Sequence, residues 1–233
     1  MPTIEENSTH TGTKLNWLRA SVLGANDGIV SIAGLVIGMA GATDSTQIIF
    51  TAGMAGIIAG AISMAVGEYV SVSSSKDTEK ALLRKERYEL LHHPEEELKE
   101  LASIYEKKGL SQKTAMTVAK ELSIKDAAAA HFDAELKIDP NHLNNPWHAA
   151  YASALSFLLG ASIPIIAILA PPVYVRIPIA FIAVLIALVI TGIISARIGG
   201  AHTMRAVIRV VSGGALAMGI TYGIGRLFNV SGI

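Results

Sequence analysis

The sequence predicts an all-α, polytopic membrane protein with five transmembrane helices and a helical insert between the second and the third. Three observations carry that expectation. Of the 233 residues, 51% are hydrophobic and only 16% charged, and the mean hydropathy is +0.46, more apolar than an ordinary soluble domain. The charge is segregated, because 14 of 19 acidic residues and 12 of 19 Lys and Arg fall between Val72 and Trp147. The apolar remainder divides into five stretches, each near the 20 residues that a helix needs to cross the hydrocarbon core.

Those stretches are 20–42, 47–71, 148–170, 173–196 and 206–228. None shows the ten-residue alternation of a barrel strand. The paired prolines of "APPVYVR" make a tight turn between the third and fourth. Residues 1–19 form a polar N-terminal segment unlike a cleavable signal peptide, 72–147 the insert, and 229–233 a short tail. Basic residues alternate from loop to loop: Lys14 and Arg19 before the first span, none in "GATDSTQ", and twelve in the insert. Arg176 stands alone in the next turn, Arg197, Arg205 and Arg209 follow, and Arg226 closes the series. The positive-inside rule then places the N-terminus and the insert in the cytoplasm. Glycines four apart (Gly24/Gly28, Gly34/Gly38, Gly56/Gly60, Gly219/Gly223) suit closely packed helices, within one chain or across a dimer.

Some classes are excluded. A net charge of zero leaves no basic footprint for nucleic acid, and the absence of cysteine removes disulfides and thiolate metal ligands.

The first span carries one formal charge, Asp27, beside Asn26. A carboxylate in hydrocarbon costs a few kcal/mol or more, and where it persists it usually faces a cavity or a pathway. Antiparallel to this span, the second ends "GAISMAVGEYV", which places Met64 about level with Asp27, roughly 10 Å from the cytoplasmic boundary at 1.5 Å per residue. Glu68 lies one turn nearer that boundary, in the pathway or simply at the interface. Met64 by itself reads as ordinary packing. Together, oxygen and sulfur ligands favour a transition metal over Mg²⁺ or Ca²⁺, and desolvated carboxylates can also carry protons.

The insert reads as helices throughout. Pro94 sits in the first turn of one, Gly109 ends it, and Ser111 caps the next. Glu86/Glu89 and Glu97/Glu100 are pairs three apart, and His131/Glu135 are four apart. Folded together, they would gather up to five carboxylates and an imidazole, sufficient for divalent ions. Spacing alone favours a solvated, mixed-charge face instead. Glu89 to His92 also has the Glu-x-x-His spacing of di-iron bundles, a weak signal in one copy.

The motifs "LRASVLGANDGIVSIAGLVIG", "AGAISMAVGEYVSV", "GLSQKTAMTVAKEL" and "GGALAMGITYGIGRLF" resemble the vacuolar iron transporter family over nearly the whole chain, from about Leu15 to Phe228. The resemblance implies a five-span homodimer that exports Fe²⁺ from the cytosol against inward proton movement, with Mn²⁺ carried by some members and no permanently bound cofactor. By motif, Asp27 and Met64 correspond to the pathway aspartate and methionine, and Glu68 to the motif glutamate. Glu86, Glu89, Glu97 and Glu100 correspond to the two metal-binding Glu-x-x-Glu pairs. The last ligand pair of the family is a Met and a Glu four apart. Here His131 and Glu135 hold that spacing, and the imidazole would admit Zn²⁺, Co²⁺ or Ni²⁺ more readily. Ser75 replaces a common Gln, and Asn16 and Ala20 stand where some plant members have acidic residues. These differences point to a prokaryotic inner membrane, or to the vacuolar membrane in a eukaryote. Two rivals from other classes are a membrane-tethered ferroxidase built on Glu89, His92 and the insert carboxylates, and a membrane-anchored metal sensor.

Overall fold

The computed structural model describes residues 4–141 and 143–228, with side chains from Trp17 onward. All regular structure among them is helical. In chain order the helices are α1 (Ile4–Ala42), α2 (Thr46–His92), α3 (Pro94–Lys107), α4 (Gln112–His131), a π-helical turn (Phe132–Leu136), α5 (Pro146–Leu169), α6 (Arg176–Ile198) and α7 (Thr203–Leu227). Each predicted apolar stretch falls on one helix, 20–42 and 47–71 wholly, whereas 148–170 and 206–228 overrun theirs by one residue and 173–196 begins three residues before α6. Five helices are long and apolar enough to cross a membrane. The tail 229–233 lies outside the described residues.

Helix α2 runs well past its apolar part. The hydropathy changes near Val72, but "KDTEKALLRKERYELLH" is rich in strong helix formers and holds no Gly or Pro before Pro94. Only hydropathy marks a boundary there. The chain divides into two compact units, one built on Ser71–Asn145 and the other on Lys14–Val70 with the chain from Pro146.

In the second unit α1 supplies the centre. Ile29, Ile32, Ala33, Val36 and Ile37 are almost fully buried, against Phe157, Ala161 and Ile168 of α5, Ala180, Val184 and Leu188 of α6, and Met218 of α7. The close approach of α1 to α5 requires glycine: a β-carbon at Gly24 would overlap the Ser153 carbonyl, one at Gly28 the Phe157 carbonyl, and one at Gly160 the Ala25 carbonyl. Gly225 meets the Gly38 carbonyl in the same way. Of the predicted pairs, Gly24/Gly28 serves backbone contact, as expected in lipid, whereas Gly56 and Gly60 meet the side chains of Leu35 and Phe157. Gly219 and Gly223 meet no atom within 4 Å and leave an open strip on α7. Large apolar side chains point outward at four-residue steps: Ile58, Ile62, Val66 and Val70 on α2, and Ile182, Ile186, Ile190 and Ile194 on α6. Apolar faces of that extent suit hydrocarbon rather than water.

Arg176, counted above among the loop charges, is 2% exposed. Its guanidinium donates to the carbonyls of Asp44 (3.2 Å) and Thr43 (3.0 Å) and lies 3.5 Å from the Asp44 carboxylate. It fastens the α1–α2 connection to the start of α6.

In the insert unit, α3 begins with Pro94 at its first turn, Gly109 follows its end at φ 102°, and the Ser111 hydroxyl accepts from the Thr114 amide at the start of α4, all as predicted. The apolar contacts are few: Leu101, Ala102, Ala119 and Ala134, with Leu98, Ile104, Tyr105, Met116 and Ala130 around them.

Candidate metal centre

The insert unit buries charge where its apolar core is thin. Glu86 of α2 is 4% exposed, Glu97 of α3 is 8%, and His131 at the end of α4 is 1%. Local structure aims these groups. The α4 pattern looks continuous, but Asp126 is extended (φ −166°, ψ 97°), and its carboxylate accepts from the Ala129 amide at 2.9 Å, capping a fresh helical turn. That turn ends at His131 and passes directly into the π-helical turn, which Lys137 closes at φ 54° with the Ile138 amide donating to the Phe132 carbonyl. Single π turns recur at functional sites. The Arg87 guanidinium lies 5.4 Å from the centre of the buried Phe132 ring, so neighbours of Glu86 and His131 also grip one another.

Three carboxylates consequently surround one nitrogen. Nδ1 of His131 lies 2.8 Å from Glu86 Oε1, 3.4 Å from Glu135 Oε2 and 3.6 Å from Glu97 Oε2. One N–H cannot serve three acceptors. The 2.8 Å contact with Glu86 is off-angle for a hydrogen bond, and Glu86 Oε1 and His131 Nε2 are buried with no hydrogen-bond partner. One ligand atom from each of Glu86, Glu97, His131 and Glu135 lies within 4.8 Å of all the others. Around a divalent ion with ligand distances of about 2.1 Å, opposite ligands stand about 4.2 Å apart, so a small inward movement of these side chains would complete a coordination shell. The donor set, carboxylate with one imidazole, suits Fe²⁺ or Mn²⁺ and admits Zn²⁺.

The electrostatics agree. Desolvation, and next the neighbouring charge of Glu135, push the Glu86 carboxyl up to about 7, with His131 acting in the opposite direction. Glu97 is also raised, by desolvation first and then by Glu100. Full ionisation of the clustered carboxylates is therefore disfavoured.

Four of the six predicted insert residues converge in this way. Glu89 turns to Lys85, 3.2 Å away, and Glu100 is exposed. Each Glu-x-x-Glu pair thus gives one member to the cluster. The second stays close enough for its charge to act on Glu97. His92 of the Glu-x-x-His spacing is exposed, stacked on Tyr88 at 3.9 Å between ring centres, and is not in the cluster.

In the other unit, Asp27 is half-buried, and its Oδ1 accepts from the Ser31 hydroxyl at 2.8 Å. Met64 is half-buried and packs against the apolar core. Glu68 is 7% exposed and pairs with Arg19 at 2.9 Å. The reading of Arg19 as a loop charge gave no sign of this pair.

Outward apolar faces on membrane-length helices, with a buried carboxylate–imidazole cluster elsewhere in the chain, describe a helical membrane protein with one group of side chains that could hold a metal ion. The chain belongs to the VIT family, whose model matches residues 18–226. It is 43% identical over 230 residues to a vacuolar iron transporter of Acanthamoeba castellanii, covering 96% of this chain and 82% of that one. To vacuolar iron transporter homolog 1 of Oryza sativa subsp. japonica it is 34% identical over 221 residues, 94% and 77% of the two chains. To vacuolar iron transporter homolog 4 of Arabidopsis thaliana it is 34% identical over 230 residues, 98% and 92% of the two.

Proposed function

We propose that the protein exports a divalent transition metal, Fe²⁺ foremost and Mn²⁺ among the alternatives, from the cytosol in exchange for protons. As a VIT family member it is a transporter and not an enzyme. The observation that carries the metal reading is the convergence of Glu86, Glu97 and Glu135 on the buried His131 imidazole. On this reading the insert is cytoplasmic and collects the ion. Glu86, whose carboxyl is raised to about 7, releases its proton as the ion binds. Glu89 and Glu100 at the margin add attraction for an approaching cation.

The translocation path then runs through Asp27 and Met64, with Glu68 at its cytoplasmic end. Five spans, a homodimer and a cytoplasmic N-terminus belong to the same proposal, as does the membrane: an inner membrane in a prokaryote, or the vacuolar membrane for which the named relatives are called. The family match and the cost of a carboxylate in hydrocarbon support these assignments.

The test uses full-length protein in vesicles that enclose a fluorescent chelator, with Fe²⁺ added outside. Quenching at a rate that saturates with metal is expected. Binding without influx would favour a sensor, and oxygen consumption with Fe²⁺ a ferroxidase.

A further inference from the structure

Near the Arg19 end of α1 a cavity of about 410 Å³ opens between α1, α6 and α7. Its walls are largely apolar, with Val22 and Leu23 on one side and Ile198 and Val210 on the other. Two arginines, Arg19 and Arg209, are also among the residues that line it. They are not equivalent. Arg19 is paired with Glu68, whereas Arg209 has no ion pair or side-chain hydrogen bond among the described residues. Arg209 lies six residues into α7, about 9 Å along the helix, on a segment otherwise apolar enough to span a membrane. Arg209 is exposed, and a cation on such a segment is costly unless its side chain reaches water or an anion comes to it. The same cavity is lined by Asn26, whose Oδ1 is buried with no hydrogen-bond partner.

A second groove between the same three helices, about 420 Å³ and lined by Ile37, Phe181, Ile182 and Met218, has no charged residue in its wall. Of the two, only the cavity at the Arg19 end joins cation to hydrocarbon.

We infer that this cavity holds one anionic phospholipid. Its phosphate is gripped by the planar donor fork of Arg209, with Arg19 close by, and its acyl chain lies along Val22, Leu23, Ile198 and Val210. Guanidinium suits phosphate bidentately, and basic pockets between membrane helices are established sites for anionic headgroups. The apolar walls distinguish this from a site for free phosphate. The inference uses the membrane-spanning reading but not the metal chemistry, and its test involves no transport.

Purified full-length protein in detergent, equilibrated with equal amounts of phosphatidylglycerol and phosphatidylcholine of matched chains, is analysed by native mass spectrometry for retained lipid. Preferential, saturable retention of phosphatidylglycerol is expected. Arg209→Gln should lower the preference about fivefold, the worth of one arginine near a headgroup. Arg205→Gln, on the same helix but outside the cavity wall, should leave it unchanged. Val210→Trp, which fills the apolar wall while keeping the charge, should lower retention of the anionic lipid too, and it serves if the Arg209 variant does not fold. An unchanged preference in the Arg209 variant, or unchanged retention of the anionic lipid in the Val210 variant, would overturn the inference. So would an equal loss in Arg205→Gln, which would mean surface charge in general, or displacement of the lipid by millimolar inorganic phosphate, which would mean a free-anion site.

Discussion

Replacing Glu86 by Gln should move stability and metal affinity in opposite directions. Glu86 is 4% exposed and its carboxyl is raised from 4.5 to about 7, first by desolvation. Between those values the folded chain keeps a proton that the unfolded chain has released, so metal-free stability falls as pH rises through about 4.5 to 7. At about 1.4 kcal/mol per tenfold change in proton affinity, the cost above pH 7 is at most about 3.5 kcal/mol, and nearer half of that once water at the rim screens the charge. An amide of the same shape carries no such cost. Without metal, Glu86→Gln should therefore stabilise the insert by about 1–2 kcal/mol at pH 8, or roughly 5–10 °C for a unit of this size, and by almost nothing at pH 4.5. With metal the sign reverses. Loss of one of four ligands should weaken Mn²⁺ binding about 100-fold, since changes behind a ligand already cost 10–100-fold, removing about 2.7 kcal/mol of ligand stabilisation. The assay is thermal unfolding of the full-length protein in detergent at both pH values, with and without Mn²⁺. A variant that melts lower than the parent at pH 8 without metal, or that gains as much from Mn²⁺, would refute the crowded-carboxylate account.

Other expectations follow from the same geometry. His131→Met, which exchanges the imidazole for a thioether, should lower Zn²⁺ and Ni²⁺ affinity relative to Fe²⁺ by about tenfold in competition titrations. An unchanged order would remove His131 from the ligand set. Gly28→Leu should separate α1 from α5 at the Phe157 carbonyl and cost about 3 kcal/mol, the upper end for overpacking, seen as lost folded yield. Gly67→Ala, in open space on a helix, should gain up to about 1 kcal/mol. Equal behaviour of the two would discredit the backbone-contact argument.

What could be read from the sequence and what could not follows from the range of each signal. Apolar runs report burial or lipid residue by residue, so all five candidate spans are legible. Pro94, Gly109 and Ser111 act on their own turns, and the helix ends fall at them. The cluster was legible in composition but not in membership. Residues three apart on a helix share a face yet differ by about 60° around the axis, so a point site can take Glu86 and Glu97 and leave Glu89 and Glu100 at the edge. The break at Asp126 and the π turn after His131 were not legible, because "KDAAAAHFDAEL" reads as one uninterrupted helix. The partners of Arg19 and Arg176 lie 49 and 132 residues away. A loop-charge count treats both as exposed, whereas Arg176 is buried and Arg19 partners a buried carboxylate.

The most direct measurement is Fe²⁺ influx into proteoliposomes under an imposed pH gradient, comparing the parent protein with Asp27→Asn. The account predicts flux that follows the gradient in the parent and falls to the rate of empty vesicles in the variant, with unfolding temperature and Mn²⁺ binding at the insert unaltered. Flux in Asp27→Asn equal to the parent, or indifferent to the gradient in both, would contradict it.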